Sequence, residues 1–176
     1  MLKDSDLIHK GKGIFLMIDA VVMLIFLLLD QLTKHLTIVH LKGQPAIVLI
    51  EGVLELQYVE NTGVAFSMFR DQKILILLMG FVVLGVLLFF LLKLPAQKKF
   101  FLAHILLSAL VAGALGNIID RIRYDFVVDF ISFVLIHYPV FNVADCYIVV
   151  SAISLAILFL FVYKEEDLGW MSSVLK

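Results

Sequence analysis

Four long runs of apolar residues limit what this chain can fold into. The run at 74–92 contains no charged residue, and three more lie at about 14–36, 100–119 and 143–163. Each is close to the roughly 20 apolar residues that a helix needs to cross a bilayer. Because lipid offers the backbone no hydrogen-bond partners, each run is predicted to be a helix. The sequence therefore predicts a multi-pass membrane protein.

The composition supports this class and excludes several others. Hydrophobic residues make up 62% of the 176 residues and charged residues 16%, whereas soluble domains are about 45–50% apolar and about 25% charged. The net charge of −1 shows no basic excess, so we expect no nucleic-acid partner. A single cysteine, Cys146, allows no intrachain disulfide, and the five histidines form no H-E-x-x-H motif. We expect no metal and no cofactor.

The distribution of lysines predicts the orientation of the chain. Four spans put both termini on one side, together with the connection between the second and third spans. These three segments carry three, two and three lysines, eight of the fourteen Lys and Arg. The positive-inside rule therefore predicts cytoplasmic termini. The segments at about 37–73 and 120–142 are then extracytoplasmic.

The two outer segments predict a small β element beside the helices. Between 47 and 60, apolar and polar residues alternate in the manner of a half-buried strand, and Glu51-Gly52 is a plausible turn. The stretch at 64–70 is predicted to be a short helix on the membrane surface, and 126–141 is predicted to run along the interface. The predicted fold class is an all-α membrane protein with a small sheet over the helix ends.

Carboxylates collect where the apolar runs meet water. Asp129 and Asp145 have apolar flanks and no cation within four residues in sequence. Desolvation raises the pKa of a carboxyl group, and a second carboxylate nearby raises it further. Such a pair can activate water with one group and protonate a peptide carbonyl with the other, as aspartic proteases do. The alternatives are a turn or cap for Asp129 and a helix N-terminal charge for Asp145.

Other polar residues near the span ends allow both structural and functional interpretations. Asp30 and Lys34 are four residues apart, which predicts an intrahelical ion pair or, alternatively, a substrate or proton contact. Asp120 and Arg121 follow the third run, where Arg121 needs either an anionic partner, such as a carboxylate other than its neighbour Asp120, or a headgroup phosphate. Asn117 would share a helix face with Arg121. A structural network and direct catalysis both remain open here.

Polar residues elsewhere predict less. Asp19 interrupts the first run and is predicted to lie at headgroup depth or, alternatively, to face the bundle interior. His104 is predicted to be a hydrogen-bonded packing residue. Cys146 is predicted to be inert packing. Ser67 with Lys73 would suggest a Ser–Lys protease, but Lys73 better fits a solvated charge flanking a helix. A small proton- or ion-coupled carrier using the same carboxylates stays as an alternative function.

Five motifs resemble the bacterial lipoprotein signal peptidase, the type II signal peptidase, over nearly the whole chain. They are DQLTK at 30–34, NTGVAFS at 61–67, GALGNIIDR at 113–121, VDF at 128–130 and FNVAD at 141–145. The resemblance implies an aspartic endopeptidase of the bacterial inner membrane with four helices, an extracytoplasmic β-cradle and a short surface helix, in a single domain over 1–176.

The resemblance also implies a substrate, an inhibitor and site residues. The substrate would be a diacylglyceryl-modified prolipoprotein, cut just before its lipidated cysteine, and globomycin would inhibit the enzyme. We expect a monomer that contacts only membrane lipids and substrate. Asp129 and Asp145 match the catalytic pair. The residues expected to contact substrate are Asn61, Asn117, Arg121 and Asn142, and those expected to support the structure are Asp30, Lys34 and Asp120.

Overall fold

A computed structural model describes residues 2–63, 69 and 72–174 of the chain. Within these residues, four helices are long and apolar enough to cross a membrane, which confirms the predicted spans. The fourth continues beyond its α-helical part as a π-helical stretch that ends at Val162. The helices are α1 (Leu2–Leu41), α2 (Lys73–Lys93), α3 (Phe101–Tyr124) and α4 (Val143–Ile157), and a short helix, α5 (Gly169–Val174), follows them.

Two helices extend beyond the predicted spans. Helix α1 continues past both ends of the 14–36 run, because hydropathy marks the apolar part of a helix and not its hydrogen-bonded ends. Helix α3 continues past 119, so Asp120 and Arg121 lie in the helix and not in an outer loop. Its last turn carries Arg121 and Arg123, whose positive charges interact favourably with the negative end of the helix dipole. The helix is followed by its C-cap residue, Asp125, whose φ of 71° is left-handed.

A three-stranded antiparallel sheet accompanies the helices. Its strands are ordered β1 (Ile47–Ile50), β2 (Leu54–Asn61) and β3 (Val127–Phe133). The predicted turn between β1 and β2 is confirmed, with Gly52 at a φ of 70°. The segment expected along the interface contributes β3, which has no polar–apolar alternation because most of its residues are buried on both faces. Apart from Phe69, the predicted surface helix at 64–70 lies outside the described residues.

Helix α3 packs against the other three membrane helices, and glycines set its distance from two of them. A Cβ atom on Gly113 would lie 2.8 Å from the carbonyl oxygen of Ala144 in α4. A Cβ atom on Gly116 would lie 2.3 Å from Oδ2 of Asp30 in α1. Helices in lipid associate through close packing and hydrogen bonds, since hydrophobic burial contributes little between them. These two glycines therefore allow α1 and α4 each to approach α3 closely.

Asp19 faces the bundle interior, which is the second of the two positions predicted for it. Its side chain is 1% exposed. Its Oδ2 lies 2.9 Å from Nδ1 of His104, and its Oδ1 accepts a hydrogen bond of 3.1 Å from Ser108. A buried carboxylate is tolerated when neighbouring groups hydrogen-bond to it, and α3 supplies both groups. The prediction that His104 is a hydrogen-bonded packing residue is confirmed.

Replacing Gly116 with alanine should destabilise the bundle, because the new methyl group would overlap the Asp30 carboxylate. We expect a loss of about 1–3 kcal/mol, typical of overpacking, measured as a lower unfolding temperature in detergent. Gly85→Ala is the matched control, since nothing lies within 4 Å of a Cβ atom there. Equal unfolding temperatures for the two variants would contradict the proposed close approach.

Candidate active site

A buried ion cluster joins α1 to α3. The ammonium group of Lys34 lies 3.0 Å from Oδ2 of Asp30 and 3.0 Å from Oδ2 of Asp120. It also donates a hydrogen bond of 2.8 Å to Oδ1 of Asn117. All three charged side chains are almost completely buried. The ion pair predicted for Asp30 and Lys34 is confirmed, and Asp120 is a second partner that the sequence spacing did not indicate.

The two acids of this cluster also hold the backbone of neighbouring elements. Oδ1 of Asp30 accepts a hydrogen bond of 3.1 Å from the Ala144 N–H in the first turn of α4. Oδ2 of Asp120 accepts one of 3.2 Å from the Val128 N–H in β3. Each of these backbone groups belongs to the residue directly before a candidate catalytic aspartate. The ion cluster therefore sets where α4 and β3 present their carboxylates.

Gln31 is a member of this cluster to which sequence analysis assigned no role. Its side-chain amide donates hydrogen bonds to Asp120 Oδ1 at 3.0 Å and to Asp30 Oδ2 at 3.2 Å. It also lies 3.4 Å from the carbonyl oxygen of Gly116. The available signal was a polar side chain directly after Asp30, at the end of an apolar run. Gln31 therefore joins the two acids as an uncharged hydrogen-bond donor.

Asn142 joins the two candidate catalytic aspartates. It is the N-cap of α4, where its side chain accepts a hydrogen bond of 3.0 Å from the Asp145 N–H. In return, Oδ2 of Asp145 accepts one of 3.1 Å from the Asn142 N–H, which completes a capping box. The amide nitrogen of Asn142 also donates to Oδ1 of Asp129 at 2.7 Å. One buried residue therefore positions both carboxylates.

Two more asparagines donate to the carboxylates. Asn61, at the end of β2, donates to Oδ2 of Asp129 at 2.8 Å. Asn117, on α3, donates to Oδ1 of Asp145 at 2.9 Å. The orientation of the Asn117 amide follows from Lys34, which has only donors and must therefore face its oxygen. The ion cluster and the carboxylate pair are thus one connected network.

Asp129 has an unusually high pKa for an aspartate. Burial, followed by the negative charge of Asp145, raises the pKa of Asp129 to about 7. The hydrogen bonds from Asn61 and Asn142 lower this pKa but do not offset those two effects. Asp129 therefore retains its proton to near-neutral pH, as the acid of an acid–base pair must.

Arg121 does not form the carboxylate ion pair that was one of its two predicted contacts, because no carboxylate of the described residues lies within ion-pair distance of it. It instead donates hydrogen bonds to two backbone carbonyls, that of Gly63 at 2.7 Å and that of Asn117 at 3.2 Å. The carboxylates around it already accept hydrogen bonds from the asparagine amides. The guanidinium group consequently ties α3 to the chain just beyond β2.

A cavity of about 720 Å³ adjoins the carboxylates. Asn142 lies beneath its wall, fully buried, and is not among the lining residues. In the described part of the chain, no three His, Cys, Asp or Glu side chains converge as metal ligands would. The polar end of the cavity contains Asn61, Asn117, Arg121, Asp129 and Asp145, and its apolar walls include Ile76, Met79 and Val83 of α2 and Ile148 and Val149 of α4.

Comparison with known proteins relates this arrangement to one family. The family model described as signal peptidase (SPase) II matches residues 22–161. The lipoprotein signal peptidase of Halothermothrix orenii is 37% identical over 149 residues, 85% of this chain and 97% of that protein. The lipoprotein signal peptidase of Thermodesulfovibrio yellowstonii is 44% identical over 144 residues, 80% of this chain and 89% of that protein.

Solved structures give the same relationship at the level of the fold. A bacterial membrane enzyme determined by the in meso method at 2.3 Å superposes with a TM-score of 0.72 and 26% identity. The alignment covers 84% of this chain and 92% of that one. A second such structure, at 1.9 Å, has a TM-score of 0.69 and 26% identity over 82% of this chain and 94% of the other.

Asp30→Asn should lower stability strongly, because it removes one partner from a buried ion cluster. Breaking such a cluster costs about 3–5 kcal/mol, which a thermal unfolding series in detergent can measure. Asp125→Asn is the matched control, since its ion pair with Lys73 is exposed and exposed pairs contribute about 0–1 kcal/mol. Equal losses of stability in the two variants would show that the buried ion cluster contributes no more than an exposed ion pair.

Proposed function

This chain belongs to the signal peptidase II family, and we propose that Asp129 and Asp145 are the catalytic pair with which it removes signal peptides from prolipoproteins. The family makes the chain a peptidase, and its aspartic class fits the two carboxylates. Nothing in the comparisons supports the alternative of an ion-coupled carrier. The observation that carries the proposal is the pair itself, joined through Asn142 at the wall of a cavity.

The two carboxylates take different roles in the proposed hydrolysis. Asp145 acts as the base and removes a proton from water as the water oxygen attacks the scissile carbonyl carbon. Asp129 donates its proton to the carbonyl oxygen, which gives a neutral tetrahedral diol. As the C–N bond breaks, Asp145 passes its proton to the leaving amine, and Asp129 recovers a proton from a diol hydroxyl. The raised pKa of Asp129 supports its assignment as the acid.

The placement of the pair suits a substrate that is itself a membrane helix. The cut falls just before a diacylglyceryl cysteine, whose glyceryl group lies at headgroup level. The pair lies at the ends of α3 and α4 that the lysine distribution assigns to the extracytoplasmic face, with both termini cytoplasmic. The enzyme then meets the scissile bond in the inner membrane without extracting either the signal peptide or the lipid.

The other polar residues divide into two groups in this proposal. Those that line the cavity contact the substrate backbone, and those buried beneath it support the pair. Asn142, expected from the resemblance to contact substrate, acts here by positioning both carboxylates. The enzyme works as a monomer among membrane lipids, and globomycin occupies the same cavity. The first group is Asn61, Asn117 and Arg121, and the second is Asp30, Lys34, Asp120 and Asn142.

Asp129→Asn and Asp145→Asn should each abolish processing while the protein still inserts into the membrane, because each removes one half of the acid–base pair. The assay incubates purified protein in detergent with a diacylglyceryl prolipoprotein and follows release of the signal peptide by gel shift. Wild-type cleavage should be blocked by globomycin, and Asp125→Asn should retain full activity. Processing by either catalytic variant at the wild-type rate would refute the assignment.

The value of kcat/KM should decline as the pH rises above about 7, because Asp129 loses the proton that it must donate as the pH passes its pKa. Beyond that point the decline should approach about tenfold per pH unit. Asn61→Ala removes a hydrogen bond that lowers this pKa, so the decline should move to higher pH. Glu55→Gln, which leaves the carboxylates' hydrogen bonds intact, should not move it. A decline that Asn61→Ala moves to lower pH would contradict the role of Asp129.

A further inference from the structure

Beyond β3 the chain forms a short loop, residues 134–140, called here the return loop, and then comes back to pair with the same strand. The Tyr138 N–H donates a hydrogen bond of 3.3 Å to the carbonyl oxygen of Phe133, the last residue of β3. Directly after the loop, the Phe141 N–H donates one of 3.1 Å to the carbonyl oxygen of Ile131. The return loop is therefore anchored to the strand that carries the proposed catalytic acid.

The two halves of the return loop have different surroundings. Leu135, in the first half, is 65% exposed and is not among the residues that line the cavity. The chain changes direction at His137, whose φ of 51° is left-handed. In the second half, Tyr138, Pro139 and Val140 all line the cavity. The return loop therefore presents an uncharged wall to the cavity from its second half only.

Tyr138 is held in position at the edge of the cavity and is still accessible, with 46% of its surface exposed. Its ring packs edge-on against that of Phe141, with centroids 5.7 Å apart and an interplanar angle of 82°. Phe141 in turn stacks on Phe133 at 5.8 Å. Pro139 restricts the backbone of the residue before it. An aromatic side chain that is already positioned offers a large contact area at a small entropic cost.

The position of the return loop relative to the carboxylates determines which part of a substrate reaches it. The apolar walls of the cavity belong to the membrane helices α2 and α4, so the signal peptide, itself a membrane helix, lies along them. In the proposed hydrolysis Asp145 protonates the leaving amine, which belongs to the lipidated cysteine. The return loop leads through Phe141 and Asn142 into the first turn of α4, where Asp145 lies. The substrate chain after the cysteine therefore passes the return loop on its way to water.

We propose that Tyr138 is a specificity-determining residue that contacts the side chain directly after the lipidated cysteine and favours an apolar residue there, an inference that rests on the proposed function. An apolar side chain at this substrate position removes its own surface and that of the Tyr138 ring from water. A short polar side chain covers less of the ring and so gains less from the contact. The ring forms this contact, so the hydroxyl group of Tyr138 is not required for it.

The test compares two synthetic diacylglyceryl prolipoprotein peptides in detergent micelles, which differ only in the residue after the lipidated cysteine, leucine in one and serine in the other. Wild type should cleave the leucine peptide with a kcat/KM about tenfold higher, the scale of an apolar contact in a binding pocket. Tyr138→Ser should abolish this preference, and Tyr138→Phe should keep it. Leu135→Ser is the matched control and should also keep it, because Leu135 is an exposed apolar residue of the same loop outside the cavity wall.

The possible outcomes separate this proposal from the one on which it rests. If wild type cleaves neither peptide, the proposed function fails, and this inference fails with it. If wild type cleaves both equally well, or if Tyr138→Ser keeps the wild-type preference, only the contact with Tyr138 is refuted. An equal loss of preference in Tyr138→Ser and Leu135→Ser would indicate a general disturbance of the return loop and would also refute the contact. Should Tyr138→Ser be inactive, Tyr138→Gln against Leu135→Gln gives the same comparison with more of the side-chain volume retained.

Discussion

The structure depends on one buried cation, Lys34, held between two buried acids. Removing charges from water is costly, and a cluster of this kind is stable only when every partner is satisfied. Here each acid contacts Lys34 through one oxygen and accepts a further hydrogen bond from the backbone of another element. Asp30 accepts from the Ala144 N–H through its other oxygen, and Asp120 accepts from the Val128 N–H through the same oxygen. The first turn of α4 and the start of β3 are therefore fixed relative to α1 by a single charge. In lipid, apolar packing does little to fix the position of one helix along another, so polar contacts of this kind determine how the helices align.

The same residue type serves two purposes within one network, and the difference lies in the neighbours. Asp30 and Asp120 share the cation Lys34, which offsets part of their negative charge, and we assign them a supporting role. Asp129 and Asp145 contact neutral amides instead, from Asn61, Asn117 and Asn142. Neutral donors orient a carboxylate without supplying the countercharge that would hold it ionised at low pH. Burial and the second carboxylate can then keep a proton on Asp129.

Whether the sequence could predict a contact depends on how far apart its residues lie along the chain. The spans and the Asp30–Lys34 pair depend on residues within a few turns of each other, and both are confirmed. The contact of Lys34 with Asp120 joins two helices, and no local period indicates it. Whether Arg121 pairs with a carboxylate depends on which acids the amides of three elements leave available. The sequence likewise could not decide between the two positions predicted for Asp19, since both of its partners lie on α3.

The position of the proposed catalytic pair meets two opposing demands of hydrolysis in a membrane. A carboxylate exposed to water would keep an ordinary pKa and could not hold the proton that the carbonyl oxygen needs at neutral pH. A carboxylate at the middle of the bilayer would hold its proton but would have no water to activate. Asp129, on the sheet, is 1% exposed, whereas Asp145, in the first turn of α4, is half-buried, and both line the cavity. The sheet is therefore a part of the proposed active site, because the burial that raises the pKa of Asp129 lies on a strand that borders this cavity.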